Sequence, residues 1–312
     1  MTVVVLTGGV GGAKLVLGLA NVMPPEEIVA IVNTGDDFEH LGLSISPDID
    51  TLLYTLSGKA NTVQGWGRAG ESWGFMAALR ELGGEDWFQL GDGDLALHVL
   101  RSMRLRAGDS LSVVTRAFAQ AWSIGVTVLP MSDDPVRTRL DTAIGPLDFQ
   151  QYFVRERCVP AVNAIRFDGA DGASPAPGVI EAIAGADAIL IAPSNPFLSI
   201  DPILAVPAIR AALLRASGPV VAVSPIVGGA AVKGPTAKLM TELGLAIDNH
   251  AIARHYRAVI DGLVVHAGDP APADGLLILE TDTMMTTLED RIRVARATLA
   301  LAESAGRRRS AV

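Results

Sequence analysis

The amino-acid sequence predicts an α/β fold: a Rossmann-like, doubly wound, mostly parallel sheet carrying a helical and β-ribbon insertion. Three observations lead there. Short apolar runs recur along the chain, each followed by a turn and then a stretch of helical spacing, the pattern of strands covered on both faces by crossover helices. The opening shows it most clearly: residues 3–6 run into Gly8-Gly9-Val10-Gly11-Gly12, a helical stretch follows, and a second apolar run stands at Ile28–Val32. The composition agrees, because 49% of the 312 residues are hydrophobic and 19% charged, with 32 glycines and 18 prolines between the apolar runs. Such a chain can bury a large core and still turn tightly many times.

Each element follows from local pattern. The first helix is placed at 14–22 and closed by Pro24 and Pro25, which cannot continue it. After the second strand comes the polar cluster Asn33-Thr34-Gly35-Asp36-Asp37, and after Pro47 an acidic helix start, Asp48-Ile49-Asp50-Thr51. Helical spacing then dominates at 76–82, 95–105 and 111–122, with a strand at 126–129. Residues 137–167 alternate apolar and polar and read as antiparallel ribbons. The α/β alternation resumes with a helix at Val179–Ala184, a strand at 188–192, the turn Pro193-Ser194-Asn195-Pro196 and a helix at 203–214. A strand at Val220–Val223, a loop at 224–234, a helix at 236–243, strands at 259–265 and 276–279 and a final helix at 287–303 complete the chain. The simplest organisation is one α/β domain over 1–312 with a helical and ribbon subdomain inserted at about 60–170.

Charge and cysteine content narrow the function. With 25 basic and 34 acidic residues the net charge is −9 and the pI about 5.0, which disfavours a general nucleic-acid surface. An anionic substrate must therefore be held locally, by backbone N–H groups, a few cations or a metal. The single cysteine, Cys158, cannot form an internal disulfide and reads as an ordinary thiol. A reducing, cytoplasmic setting is expected. Residues 1–6 read as a strand and not a signal peptide, no apolar run is long enough to span a bilayer, and Arg307, Arg308 and Arg309 read as a solvated tail.

Chemistry concentrates at the predicted carboxyl edge of the sheet, where open α/β folds bind ligands. The glycines at 8–12 free the backbone for close approach to a ligand, and the helix after them aims N–H groups at an anion, so Gly9, Val10, Gly11, Gly12 and Lys14 are candidate phosphate contacts. The loop is neither a Walker A motif nor a dinucleotide fingerprint in strict register, so on its own it leaves phosphate binding and a tight packing turn both open. Asp36, Asp37, Asp48 and Asp50 fall at the same edge. Four carboxylates there would repel a phosphate unless a divalent cation intervened, and Mg²⁺ is the natural choice. Asp37, Asp48 and Asp50 are the metal-ligand or base candidates. Ser194 and Asn195 reach the same edge, while Gly228, Gly229 and Lys233 offer a second flexible, cationic loop. Trp66 and Trp73 either wall a slot for a planar ligand or pack in the core. His40 stands beside the acidic cluster as a substrate contact, and His98 lies in a helical apolar pattern that suggests packing. Asp92 and Asp94 read as a helix start. No histidine pattern suits zinc.

Several of these motifs together resemble one family. Gly8-Gly9-Val10-Gly11-Gly12-Ala13-Lys14, Asn33-Thr34-Gly35-Asp36-Asp37, Ser46-Pro47-Asp48-Ile49-Asp50-Thr51, Gly65-Trp66-Gly67, Glu71-Ser72-Trp73, Leu90-Gly91-Asp92-Gly93-Asp94, Leu129-Pro130-Met131-Ser132-Asp133, Pro193-Ser194-Asn195-Pro196 and Ser224-Pro225-Ile226-Val227-Gly228-Gly229 with Lys233-Gly234-Pro235 occur in the order seen in the 2-phospho-L-lactate transferase family, across nearly the whole chain. The resemblance implies transfer of a phosphorylated three-carbon acid (phospholactate, phosphoenolpyruvate or phosphoglycerate) from a guanosine diphosphate-activated donor to the ribityl hydroxyl of the deazaflavin Fo. GMP would leave, in the biosynthesis of coenzyme F-420. It also implies Mg²⁺ and a homodimer. On this reading Asp50 and Asp37 are the catalytic residues, Asp50 nearest the acceptor hydroxyl, with Thr51 and Trp66 among the substrate contacts. Two other readings stand beside it: a nucleotide-sugar-binding regulatory protein of similar fold, and a nicotinamide-dependent oxidoreductase suggested only by the first glycine turn.

Overall fold

The computed structural model describes residues 1–232, 234–272 and 275–310. Among them, seven strands form one sheet in the order Leu277–Thr281, Gly262–His266, Val220–Val223, Ala188–Ile191, Val3–Thr7, Ile28–Val32 and Thr127–Pro130. Every pairing in it is parallel. Pro130 is tolerated because its strand lies at the sheet edge, where a missing ladder N–H costs least. Alternate residues of the first strand divide between two cores: Val4 and Leu6 face one, Val3 and Val5 the other. Burial on both faces explains why these strands read as unbroken apolar runs.

The core containing Val3 and Val5 is closed by the helices Gly9–Leu19, Pro47–Leu56, Leu111–Ala121 and Leu288–Ser310. The core containing Val4 and Leu6 is closed by Val179–Ala184, Pro207–Arg215, Thr236–Glu242 and Asn249–Tyr256, with the three-stranded antiparallel ribbon of Arg137–Thr142, Gly145–Asp148 and Val162–Asp168. Within the 60–170 region, helices Gly74–Glu81, Asp92–Arg106 and Leu111–Ala121 precede the edge strand Thr127–Pro130, and the ribbon follows it. A satellite cluster of Ile45, Met76 and Leu90 packs under these helices.

Three expectations change, and two elements had no counterpart in the sequence analysis. The first helix begins at Gly9 and not at residue 14, so the glycine run forms its first turn. The helix expected at 203–214 is two, Asp201–Ala205 and Pro207–Arg215, because Pro207 drives Val206 out of helical geometry (φ −73°, ψ 111°). The basic tail is the end of a helix running to Ser310: Arg309 pairs with Asp261 (2.9 Å) and donates to the carbonyls of Ala216 (2.9 Å) and Gly218 (3.0 Å). The helix Asn249–Tyr256 and the hairpin Phe38–His40/Leu43–Ile45 were not expected. Among the described residues no single helix is long and apolar enough to cross a membrane.

Candidate active site

From the first strand the chain winds outward through Ile28–Val32 to Thr127–Pro130, then returns to Ala188–Ile191 beside the first strand and winds the other way. The two turns leaving the central strands are therefore neighbours at the switch point, the preferred ligand crevice of this architecture. They are tied together: Ser194 Oγ donates to Gly8 O (2.7 Å) and accepts from the Gly8 N–H (3.3 Å). Gly9 adopts φ +63°, a left-handed conformation that glycine adopts without strain. A methyl on Gly12 would stand 2.1 Å from Thr7 Oγ1 and 2.8 Å from Ser194 Oγ, so the close approach of helix and strand demands glycine. Ser194 is thus a strut. Asn195 accepts from the N–H groups of Phe197 (3.0 Å) and Leu198 (3.2 Å), while its Nδ2 is buried with no partner. That amide is a donor waiting for an acceptor.

The four predicted aspartates are brought together here and all are buried, with 6% (Asp36), 8% (Asp37), 6% (Asp48) and 4% (Asp50) of their surface exposed. Asp48 Oδ1 accepts the Gly9 N–H at 2.7 Å, so a side chain from 39 residues away caps the glycine helix. That carboxylate holds the amide at which the glycine loop was expected to meet a phosphate. Asn33 Nδ2 bridges Asp36 Oδ1 (3.0 Å), Asp48 Oδ2 (2.9 Å) and Leu198 O (3.2 Å). Ser46 Oγ donates to Asp37 Oδ2 (2.7 Å), but Asp37 Oδ1 is buried without a partner. Burial pushes Asp37 up to about 7, against the pull of Arg137 and the Ser46 hydrogen bond. It pushes Asp48 up to about 6 despite the Asn33 and Gly9 hydrogen bonds. Asp36 is raised well above the usual carboxylate range by burial and by the neighbouring Asp48.

Asp50 differs. Both of its oxygens accept from the guanidinium of Arg101, itself 1% exposed, in a two-pronged pair. His98 stands between Arg101 Nη1 (3.3 Å from Nδ1) and Asp94 Oδ2 (3.2 Å from Nε2), and the Tyr54 hydroxyl donates to Asp94 Oδ1. The sequence reading missed Arg101, and it took His98 for packing. The one signal was the spacing of Asp94, His98 and Arg101, which puts all three on one face of the helix Asp92–Arg106. Asn33 was read only as part of a polar turn.

The other predicted residues scatter. Val10 and Lys14 lie half-buried on the first helix, and Thr51 half-buried on Pro47–Leu56. His40 is buried among Phe38, Trp87 and Phe88 rather than in the crevice, and burial lowers its pKa. Trp66 and Trp73 are 49% and 39% exposed and wall a small cleft with Arg68, Glu71 and Asp94, so neither is a core residue. Gly228 and Gly229 sit at an exposed hairpin turn, with the Gly228 N–H donating to Asp269. Lys233 lies outside the described residues.

Beside the acidic cluster opens a cleft of about 180 Å³ whose walls include Thr34, Asp37, Ser44, Ser46, Asp133 and Arg137. Among the described residues no three acidic, histidine or cysteine side chains converge as a complete metal cage. Mg²⁺ rarely requires one, since one or two carboxylates with phosphate oxygens and water suffice. Asp36 and Asp48, sharing one amide and both held above their ordinary pKa, form such a pair. A Mg²⁺ held here would share these oxygens with the Asn33 amide and the Gly9 N–H, which already donate to them.

Comparison with known proteins identifies the family and supports the fold. The family model described as 2-phospho-L-lactate transferase CofD matches residues 3–297. A phosphoenolpyruvate transferase of Kitasatospora aureofaciens is 46% identical over 315 residues, covering 97% of this chain and 98% of the relative. Those of Streptomyces coelicolor and Nocardia farcinica are 44% and 40% identical, covering 97% and 96% of this chain and 98% and 94% of the relatives. A UPF0052-family crystal structure from Bacillus halodurans superposes with a TM-score of 0.64 at 19% identity, covering 96% of this chain and 99% of that one, and supports the fold. By a match that spans nearly its whole length, the chain belongs to the 2-phospho-L-lactate transferase (CofD) family of enzymes.

Proposed function

We propose that this transferase moves a phosphorylated three-carbon acid from a guanosine diphosphate-activated donor to the ribityl hydroxyl of Fo in coenzyme F-420 biosynthesis, and that the acid is the enolpyruvyl group. The choice of acid rests on the relatives named phosphoenolpyruvate transferase at 40–46% identity. The observation that carries the chemistry is Asp37: a buried carboxylate with one partnerless oxygen, lining a cleft beside Arg137 at the carboxyl ends of the strands Ile28–Val32 and Thr127–Pro130. The acceptor oxygen bonds to the phosphorus that bears the three-carbon acid, the anhydride P–O bond to GMP breaks, and Asp37 takes the hydroxyl proton. A carboxylate raised to about 7 matches that task near neutral pH. Arg137 faces the negative charge of the diphosphate, and Asn195 Nδ2 offers it a hydrogen bond. Asp36 and Asp48 would hold Mg²⁺, which when bound supplies charge neutralisation at the diphosphate. Asp50 is not the base, because both its oxygens are paired with the buried, positively charged guanidinium of Arg101. Exposed Trp66 and Trp73 suit the face of a deazaflavin.

The apolar stripe Val99, Leu100 and Met103, 46–56% exposed on Asp92–Arg106, supports a homodimer, to be checked by sedimentation. A cytoplasmic site of action belongs to the same reading. The decisive assay follows Fo fluorescence and product mass with the enolpyruvyl, phospholactyl and phosphoglyceryl guanosine donors in turn. A phosphodiester product and GMP are expected with the enolpyruvyl donor, and lost in Asp37→Asn and with chelator. GDP binding with no conversion of Fo by any donor would instead favour the nucleotide-binding regulator.

A further inference from the structure

The chain Asp94–His98–Arg101–Asp50 is continuous, buried except at half-buried Asp94, and without an assigned role. It begins at the wall of the Trp66/Trp73 cleft, which Asp94 lines, and ends at the first turn of the helix Pro47–Leu56, which carries Asp48 and Asp50. Its chemistry is directional. A guanidinium has no acceptor, so in the 3.3 Å contact with Arg101 Nη1, whose two hydrogens are shared with Asp50 Oδ2 and Ser44 O, His98 Nδ1 is the acceptor, and the ring proton is placed on Nε2, facing Asp94 Oδ2 at 3.2 Å. The alternative, an Nδ1 proton aimed at Asp50 Oδ2, would span 3.7 Å, beyond hydrogen-bond reach. Arg101 also donates to Ser44 O (3.3 Å), so one guanidinium pins both the hairpin before the helix and the helix's first turn. Its Nε is buried with no partner, a cost the fold bears to keep the group in place.

We propose that Arg101 and His98 are positioning residues for the transfer reaction, with Asp94 setting the His98 tautomer that lets Arg101 hold Asp50 and the carboxylate-bearing turn in register with Asp37. This rests on the transferase reading above. Neither residue touches the reacting atoms; each acts through the turn it fixes.

Two measurements test it. Nitrogen-15 correlation of the histidine rings, with the His98 signals assigned by their loss in His98→Asn, is expected to show Nε2 protonated and Nδ1 bare at pH 7.5. The opposite tautomer or a doubly protonated ring overturns the chain. Kinetics then compare wild type, His98→Leu and His98→Asn, with kcat expressed per folded molecule. His98→Leu is expected to lose at least tenfold in kcat with KM for both substrates within threefold, and His98→Asn, which keeps a polar group near Arg101, to recover at least threefold of that. If His98→Leu fails to fold, Arg101→Lys and His98→Asn carry the same comparison. An active wild type with variants equally active per folded molecule overturns the positioning role alone. A wild type that leaves Fo unconverted overturns the transferase reading and this role with it.

Discussion

Replacing Asn33 with leucine removes the one amide that holds Asp36 and Asp48 together while keeping a similar volume. Asn33 is fully buried and makes four contacts: Asp36, Asp48 and Leu198 O accept from Nδ2, and its Oδ1 accepts the Gly35 N–H at 2.8 Å. A hydrogen bond to an ionised group contributes roughly 1.5–3 kcal/mol and a neutral one about 1 kcal/mol. At pH 8, with the Asp48 bond charged and the other three counted as neutral, the loss should come to about 4.5–6 kcal/mol, a large share of a typical domain's stability. At pH 5 Asp48, raised to about 6, is protonated; its bond to Asn33 is then neutral and the loss falls to about 4 kcal/mol for the four bonds. Urea melts of wild type and Asn33→Leu in chelator at the two pH values measure the difference. A penalty equal at both, or below about 1 kcal/mol at pH 8, would refute the claim that Asn33 serves charged carboxylates.

Three further expectations follow from the same geometry. In chelator, wild-type stability should fall as pH rises from 5 to 7.5: Asp37 and Asp48 have raised folded pKa values, so the stability they contribute is full below their unfolded pKa and is lost as pH passes about 6 and 7. Buried His40, whose pKa is lowered, opposes this in part, and a stability that rises across the window would contradict the burial argument. Gly12→Ala should cost about 1–3 kcal/mol by thermal melting, because its methyl meets Thr7 and Ser194 at 2.1 and 2.8 Å; an unchanged Tm would show that the turn can yield. Trp66→Ala should weaken Fo binding by at least fivefold in a fluorescence titration while moving Tm little, as befits a half-exposed side chain; unaltered affinity would take the deazaflavin away from this cleft.

Much of this protein was legible in its sequence because burial on both faces writes a simple signature. The strands Ile28–Val32 and Val220–Val223 and the helix Val179–Ala184 were placed with the bounds observed, and the acidic residues fell at the sheet edge that parallel connection dictates. The boundaries that shifted were those set by distant partners. No local rule starts a helix at Gly9; it starts there because Asp48 caps it from another helix. The basic tail looked solvated because its acceptors, the carbonyls of Ala216 and Gly218, lie about 90 residues earlier in the chain.

The same division holds in the site. The sequence alone determined the fold class, the family and the gathering of Asp36, Asp37, Asp48 and Asp50, since strand order and turn position follow from short-range periodicity. Only the tertiary structure decided what each carboxylate does. Asp48 caps, Asp36 shares Asn33, Asp50 is neutralised by Arg101, and Asp37 keeps a free oxygen. The physical reason is that a carboxylate's charge and availability depend on burial and on donors arriving from elsewhere in the chain, and neither is written in the residues beside it.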